Sequence, residues 1–166
     1  MTAVPRRELA RAVLRDPVHW LAFGGGVGLL PLAPGTWGSA LAVALFWLAP
    51  PLAPVVHAAL VGGGFLLGCW ICGASARRLE VHDHPGIVFD EIVAMWAVLA
   101  LTPRHLAWSA IAFLAFRIMD VWKPWPIREA DHRIGGGLGI MLDDALAAAF
   151  AAVVVSSLWK LYAYLP

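Results

Sequence analysis

The sequence predicts an all-α integral membrane protein, a multi-helix bundle of about four or five membrane helices with short or re-entrant segments among them. Of its 166 residues, 61% are hydrophobic and 14% are charged, whereas about 25% are charged in an ordinary soluble domain. The mean hydropathy is +0.76. Glycine and proline clusters divide the apolar sequence into helix-length segments, and several are shorter than the roughly 20 residues of a straight transmembrane span.

An amphipathic arm is predicted over residues 1–19, followed by one membrane-embedded domain over residues 20–166. Four arginines in the arm alternate with apolar residues, a pattern typical of a helix that lies on the membrane surface. Residues 20–39 are rich in glycine and proline. Because Pro31, Pro34 and the glycines oppose regular helix geometry, we expect no ordinary helix in this segment.

The remaining helices are bounded by clear break signals. A proline-rich turn starts at Pro50, a pair of arginines ends the next segment at Arg78, and a break around Pro103 separates two further segments. A loop with tryptophans, prolines, charges and a glycine run is predicted over residues 120–140. The predicted helices cover residues 37–49, 55–76, 90–101, 105–119 and 143–164.

The basic residues predict the orientation of the bundle. With the N-terminus in the cytoplasm, most arginines and lysines fall on the cytoplasmic side, and only Arg104 and Lys160 lie toward the opposite face. The formal net charge of +1, without a basic stripe, argues against a nucleic-acid partner. The membrane is therefore the expected partner.

Acidic residues concentrate at the predicted ends of the apolar helices, on that same cytoplasmic side. A carboxylate beside hydrocarbon is costly unless water, a cation or a metal accompanies it. Several carboxylates at one depth therefore indicate a hard-cation site, and oxygen ligands with room for water favour Mg²⁺. The six acids are Asp83, Asp90, Glu91, Asp120, Asp143 and Asp144.

Helix capping and zinc binding are alternative roles for these acids. The pairs Asp90-Glu91 and Asp143-Asp144 each open a predicted helix, where a negative charge matches the helix dipole. The run His82-Asp83-His84 is a candidate zinc set, although no spaced histidine pair or cysteine partner supports zinc. Both alternatives stay open on the sequence.

Basic residues lie among the acids in and beside the predicted 120–140 loop. Such an arrangement is suited to hold an anionic phosphate. The same residues would also serve as anchors on anionic lipid. They are Arg117, Lys123, Arg128 and Arg133, and they flank Asp120 and Asp131.

Residues 24–39 are a further candidate for phosphate contact. A glycine-rich turn that runs into a helix N-terminus offers free backbone N–H groups, to which Thr36 and Ser39 add hydroxyls. The segment lacks the Gly-Lys-Ser/Thr ending of a P-loop.

The cysteines form a Cys-x-x-Cys pair, Cys69 and Cys72, within an apolar helix. Without a second pair, we interpret them as small buried hydrophobes. The spacing from Cys72 to Arg78 also matches that of thiol phosphatases. That chemistry needs a reactive thiolate in a phosphate-binding loop, which a cysteine within an apolar helix does not provide.

Three stretches of the chain resemble the phosphatidylglycerophosphatase A family. They are residues 30–38, residues 82–91, and residues 116–128 continuing through 136–144. They occur in order and cover nearly the whole chain after the arm. The resemblance implies an all-α, magnesium-dependent phosphatase of the bacterial inner membrane, which removes the terminal phosphate of phosphatidylglycerophosphate to give phosphatidylglycerol.

The resemblance also implies which residues act. By motif match the functional positions are Thr36, Asp83, Asp90, Glu91, Asp120, Lys123, Arg128, Asp131, Asp143 and Asp144. Metal binding is expected of Asp90, Glu91, Asp143 and Asp144. Catalytic roles are expected of Asp83, Asp120, Lys123, Arg128 and Asp131, with Asp83 as a candidate general base. Substrate binding is expected of Thr36, Ser39, Arg117, Lys123, Arg128 and Arg133.

Two further functions stay open. The chain fits a phosphatase of another lipid phosphate, and it also fits a non-catalytic lipid-binding membrane protein. In the second case the acids would cap helices and the bases would anchor lipid.

Overall fold

The computed structural model describes residues 6–125 and 134–164, and these residues form helices and connecting turns without a β-strand. The all-α prediction is therefore confirmed for them. In chain order the elements are α1 (Arg6–Arg15), α2 (Pro17–Ala22), a 3-10 helix (Gly24–Leu29), α3 (Pro34–Leu48), α4 (Pro54–Arg78), α5 (Phe89–Ala100), α6 (Leu106–Trp122) and α7 (Gly136–Tyr164).

Helices α4, α5 and α6 follow the predicted break signals closely. Pro54 occupies the first turn of α4, where the missing N–H of proline costs no hydrogen bond. Arg77 and Arg78 lie in the last turn of α4, where a positive charge suits the helix dipole. The side chain of His105 caps α6 by accepting a hydrogen bond from the backbone N–H of Ala107 at 3.3 Å.

The prediction that residues 20–39 contain no ordinary helix was wrong at both ends, because α2 continues to Ala22 and α3 begins at Pro34. Pro34 lies in the first turn of α3, the position at which proline favours a helix rather than breaking it. The preceding glycines do form irregular backbone, since Gly25 and Gly26 have φ values of 69° and 96° inside the 3-10 helix. Thr36 and Ser39 consequently lie within α3, not in a loop.

The predicted loop over residues 120–140 was wrong at both ends. Helix α6 continues to Trp122, and α7 begins at Gly136 instead of Asp143. The glycines of α7 allow close packing on α4, because a Cβ at Gly137 would lie 1.8 Å from the carbonyl oxygen of Cys69. Asp143 and Asp144 therefore lie about two turns inside a helix, not at its end.

Two apolar clusters hold the helices together. The larger cluster joins α3, α5, α6 and α7 around Phe46, Met95 and Phe116. The second lies where the arm meets α4 and α7, around Phe23 and Cys72. Both cysteines are free and Cys72 is fully buried, which agrees with their interpretation as small hydrophobes.

Among the described residues, two helices are long and apolar enough to cross a membrane, α4 and α7. Helices α3, α5 and α6 have 15, 12 and 17 residues, fewer than a straight span of about 20. In the most apolar 18-residue stretch of each helix, 17% of α4 and 56% of α7 is buried inside the bundle. These helices suggest membrane association, and the larger count of four or five membrane helices stays a prediction.

Candidate active site

Three helices bring acidic side chains to one end of the bundle. Asp90 and Glu91 lie in the first turn of α5, which is anchored by a hydrogen bond from the Val88 N–H to the Ala22 carbonyl at 2.9 Å. Asp144 arrives from α7, which packs on both α4 and α5. Asp120 arrives from the last turn of α6.

Asp90, Glu91 and Asp144 form a group of three carboxylates, with one oxygen from each lying within 4.8 Å of the others. Asp90 and Asp144 are only 6% and 3% exposed. Oδ1 of Asp90 and Oε2 of Glu91 are buried without a hydrogen-bond partner. Buried carboxylate oxygens left in this state are the donor set that a hard divalent cation would complete.

The electrostatics of this carboxylate group are unfavourable without a proton or a cation. Burial, reinforced by the charge of Glu91, raises the pKa of Asp90 well above its ordinary value. Burial and then the charge of Asp144 raise the pKa of Glu91 to about 8. Like charges held together away from water repel strongly, so a neutralising species is needed for all three to ionise.

Asp143 lies beside the carboxylate group but pairs with a base. Its Oδ2 is 2.5 Å from Nζ of Lys123, and its Oδ1 accepts a hydrogen bond from the Asp144 N–H at 3.0 Å. Lys123 ends α6 in the left-handed conformation, with φ of 43°. The structure thus brings together three of the four predicted metal ligands. The fourth, Asp143, forms an ion pair with Lys123, a predicted catalytic residue.

Arg117 connects two acids of the site. Its Nη1 is 2.5 Å from Oδ2 of Asp120 and 3.9 Å from Oε1 of Glu91. Its Nε is buried without a hydrogen-bond partner. The guanidinium therefore offsets part of the negative charge and retains a buried N–H for a further acceptor.

Comparison with known proteins gives this geometry its context. Residues 20–159 match the family described as Phosphatidylglycerophosphatase A. The chain belongs to this family. Relatives named Phosphatidylglycerophosphatase A include one from Escherichia coli (strain K12), 41% identical in an alignment 159 residues long that covers 93% of this chain and 92% of the relative. One from Haemophilus influenzae is 44% identical in an alignment 161 residues long that covers 92% of this chain and 96% of the relative.

A third relative, from Bacteroides thetaiotaomicron, carries the provisional name phosphatidylinositol-3-phosphatase. It is 35% identical in an alignment 144 residues long that covers 80% of this chain and 87% of the relative. No solved structure matches the chain significantly. Membership in the phosphatidylglycerophosphatase A family makes this chain a phosphatase and confirms the resemblance seen in its motifs.

Gly35, in the first of the family-like stretches, is a site residue that sequence reasoning missed. A Cβ at this position would lie 1.9 Å from Oε1 of Glu91 and 3.1 Å from Nη1 of Arg117. The start of α3 therefore packs directly against the acid group. The sequence signal was a glycine immediately after a helix-starting proline, where the backbone has no conformational need for glycine and close approach is the remaining reason.

Thr36 and Ser39, the two predicted hydroxyl contacts, have different surroundings in α3. Thr36 follows Gly35 directly and is half-buried. Ser39 is fully buried, and its hydroxyl donates to the Gly35 carbonyl at 2.9 Å. The Ser39 hydroxyl is thus used within the helix, and Thr36 is the better situated of the two for a ligand.

Asp83 is exposed in the loop that precedes α5, and its charge contributes to the raised pKa of Asp90. Its neighbour His84 accepts a hydrogen bond from the Gly86 N–H at Nδ1, at 3.0 Å, and packs on Phe23 with ring centroids 5.4 Å apart. Burial lowers the pKa of His84. This histidine supports the turn, and in the described parts of the chain the group suited to a metal contains carboxylates alone.

Three predicted site residues, Arg128, Asp131 and Arg133, lie outside the described residues. Their roles stay predictions.

Proposed function

We propose that this chain is a Mg²⁺-dependent lipid phosphatase that hydrolyses phosphatidylglycerophosphate to phosphatidylglycerol and phosphate. The names of the Escherichia coli and Haemophilus influenzae relatives support the substrate. The observation that carries the metal is the buried carboxylate group, in which Asp90 and Glu91 each have an oxygen without a hydrogen-bond partner.

Asp90, Glu91 and Asp144 would hold the ion, since their oxygens are the hard ligands that Mg²⁺ prefers. An ion held there would supply positive charge to polarise the phosphate and to make the attacking water easier to deprotonate. Asp120 holds Arg117 in position through an ion pair, and Asp143 holds Lys123 in the same way. With their positions fixed in advance, the two positive side chains would bind the negative charge of a phosphate at a smaller entropic cost.

Asp83 is the candidate general base because it is an exposed carboxylate whose charge acts on Asp90. A general base must come within hydrogen-bond reach of the attacking water, directly or through one other water. Thr36, half-buried beside Gly35, adds a hydroxyl for a phosphate oxygen. Arg128 and Arg133 are proposed as further phosphate ligands.

The test is phosphate release by purified protein from phosphatidylglycerophosphate in detergent micelles. We expect release with Mg²⁺, loss of release after EDTA, and recovery when Mg²⁺ is restored. Asp90→Asn should abolish release, whereas the matched variant Asp16→Asn, at an ion pair with Arg78 in the arm, should not. Undiminished release after exhaustive chelation would disprove the metal assignment.

A second substrate class has specific support in the Bacteroides thetaiotaomicron relative, whose name refers to a phosphoinositide. The same assay with phosphatidylinositol-3-phosphate and phosphatidic acid therefore belongs in the panel. We expect kcat/KM to be highest for phosphatidylglycerophosphate. A higher kcat/KM for either competitor would reassign the head group while leaving the phosphatase class intact.

The site is proposed to face the cytoplasm from the bacterial inner membrane. Arg77, Arg78 and Arg117 lie toward the end of the bundle that carries the acids, and basic residues favour the cytoplasmic side of a membrane. Arg104, at the opposite end, donates to the Ala49 carbonyl at 2.7 Å.

In a background without the native cysteines, an impermeant thiol reagent should label Arg104→Cys in intact cells and Asp83→Cys only in opened ones. Labelling of Asp83→Cys in intact cells would show that the site faces the opposite side of the membrane.

A further inference from the structure

An apolar groove of about 340 Å³ lies between α4 and α5, and its lining includes Phe89 in the first turn of α5. Its α5 side is formed by Phe89, Val93 and Trp96, and its α4 side by Leu60 and Val61, among others. Phe89 directly precedes Asp90 in the chain. The Phe89 end of the groove therefore lies at the same end of α5 as Asp90 and Glu91.

The two helices run antiparallel along the groove. Near the start of α5, a Cβ at Gly68 would lie 3.2 Å from Cδ1 of Phe89, and one turn later a Cβ at Gly64 would lie 3.0 Å from Cγ2 of Val93. Lower down, the Trp96 indole N–H donates to Nδ1 of His57 at 3.1 Å. Each step down α5 thus matches a step back along α4.

A second cavity of about 210 Å³ lies farther along the same two helices, and Val61 lines both cavities. Its lining reaches Leu101, the residue after α5. From Phe89 to Leu101 the helical rise amounts to about 18 Å. That length is close to one leaflet of the hydrocarbon core, which is about 15 Å thick.

We propose that this α4–α5 groove binds one acyl chain of the lipid substrate and so sets its phosphate at Asp90, Glu91 and Asp144. This inference rests on the proposed function. The position of Phe89 directly before Asp90 supports it. The low burial of α4 also supports it, because it leaves the groove open to surrounding lipid. A chain lying along α5 would be extended from the site toward the bilayer centre, the direction that an anchored lipid must take.

A rival groove of about 410 Å³ lies between α3 and α6, lined by Ala40, Ala110 and Phe113 among others. On α6 its lining ends at Leu114, about one helical turn before Arg117. It contains no residue adjacent in sequence to a member of the carboxylate group. The α4–α5 groove is therefore the better continuation of the site, and the α3–α6 groove serves as an internal control.

The groove would act by orientation more than by affinity. An acyl chain that enters it leaves hydrocarbon as apolar as the groove itself, so little net hydrophobic free energy is gained. Holding the chain instead restricts where the head group can lie, and misplacement of a reacting group by about 1 Å can lower a rate about a hundredfold. The effect of blocking the groove should therefore depend on acyl-chain length.

The test compares Val61→Trp with Leu66→Trp on the same helix. Val61 is at the junction of the two cavities, whereas Leu66 is 73% exposed and lines neither. Each variant is assayed with palmitoyl and hexanoyl forms of phosphatidylglycerophosphate in mixed micelles with Mg²⁺. For Val61→Trp we expect kcat/KM to fall about tenfold or more for the palmitoyl substrate and to stay unchanged for the hexanoyl substrate. Leu66→Trp should change neither.

Equal effects of Val61→Trp on both substrates, with hexanoyl hydrolysis retained, would overturn the proposal. A palmitoyl-specific loss in Ala110→Trp, but not in Val61→Trp, would assign the chain to the α3–α6 groove instead. Failure of the wild-type protein to hydrolyse either substrate would refute the proposed function rather than the groove.

A measurement on the wild-type protein covers the case in which Val61→Trp does not fold. A phosphatidylglycerophosphate analogue with a photoactivatable group in the middle of its acyl chain should cross-link to peptides of α4 and α5. Cross-links confined to α3 and α6 would overturn the proposal.

Discussion

Two polar clusters lie near one end of this bundle, and they differ in whether their buried polar atoms all have partners. The arm cluster joins Asp16 and His19 to Ser75 and Arg78 of α4. Nδ1 of His19 lies 2.8 Å from the Ser75 hydroxyl, and Oδ2 of Asp16 lies 2.5 Å from Arg78. In the carboxylate group, by contrast, Asp90 and Glu91 each keep a buried oxygen without a partner.

The arm cluster has the residue types of a hydrolytic triad, yet its geometry is that of a cluster that stabilises the fold. Ser75 is fully buried inside α4, and Nε2 of His19 is 4.0 Å from Asp16. Oδ1 of Asp16 accepts the Val18 N–H at 2.9 Å as the N-cap of α2. A cluster that satisfies itself stabilises the fold, whereas one left unsatisfied away from water indicates a missing ligand.

The largest expected effect separates stability from activity in the carboxylate group. Asp144→Asn should lower kcat at least about a hundredfold, because a side chain proposed to bind Mg²⁺ loses its negative charge. The same change removes repulsion with Asp90 and Glu91, so without Mg²⁺ the variant should unfold at a higher temperature than the wild type. Phosphate release and thermal unfolding of the same sample measure both. A variant that loses stability together with activity would make Asp144 a structural residue like those of the arm.

The next effect concerns the approach of α3 to the site. Gly35→Ala should lower kcat/KM about tenfold or more, because its Cβ would displace Glu91 or Arg117. Overpacking of this kind costs about 1–3 kcal/mol in the free energy of unfolding. The matched control is Gly62→Ala in α4, where a Cβ meets nothing within 4 Å. That control should retain full activity and gain up to about 1 kcal/mol of stability from improved helix propensity.

Ser75→Ala should lower stability without lowering activity. It leaves Nδ1 of buried His19 without its partner, so the free energy of unfolding should fall by about 1–3 kcal/mol. Phosphate release at 25 °C should stay within about twofold of the wild type. Denaturant unfolding and the phosphate assay provide the two numbers. A large loss of kcat with unchanged stability would reveal a catalytic hydroxyl at Ser75.

The smallest effect is the pH dependence of the arm cluster. Burial lowers the pKa of His19 below its ordinary value of 6.5. The unfolded chain then binds more protons than the folded one in the window just below pH 6.5, so stability rises with pH there and falls as the pH drops. His19→Gln should flatten the curve of unfolding temperature against pH between 5 and 7. An unchanged slope would mean that another group is responsible.

Much of this molecule follows from local sequence signals. Helix α4 extends from a first-turn proline to a pair of arginines, both readable in the chain, and α5 opens with the expected acids. The motif stretches were sufficient to identify the family. In contrast, the start of α7 at Gly136 was not predictable from loop signals, because its glycines serve contact with Cys69 and Gly73 of α4.

The sequence by itself determined which residue types are present for phosphate chemistry and at which end of the apolar segments they gather. Only the tertiary structure decided that Asp90, Glu91 and Asp144 share one position while Asp143 pairs with Lys123. It also decided that Gly35 completes the wall beside Glu91. The physical reason is that capping, proline position and hydropathy act within a few residues. The convergence of α3, α5, α6 and α7 depends instead on packing between segments distant in the chain, which no local pattern records.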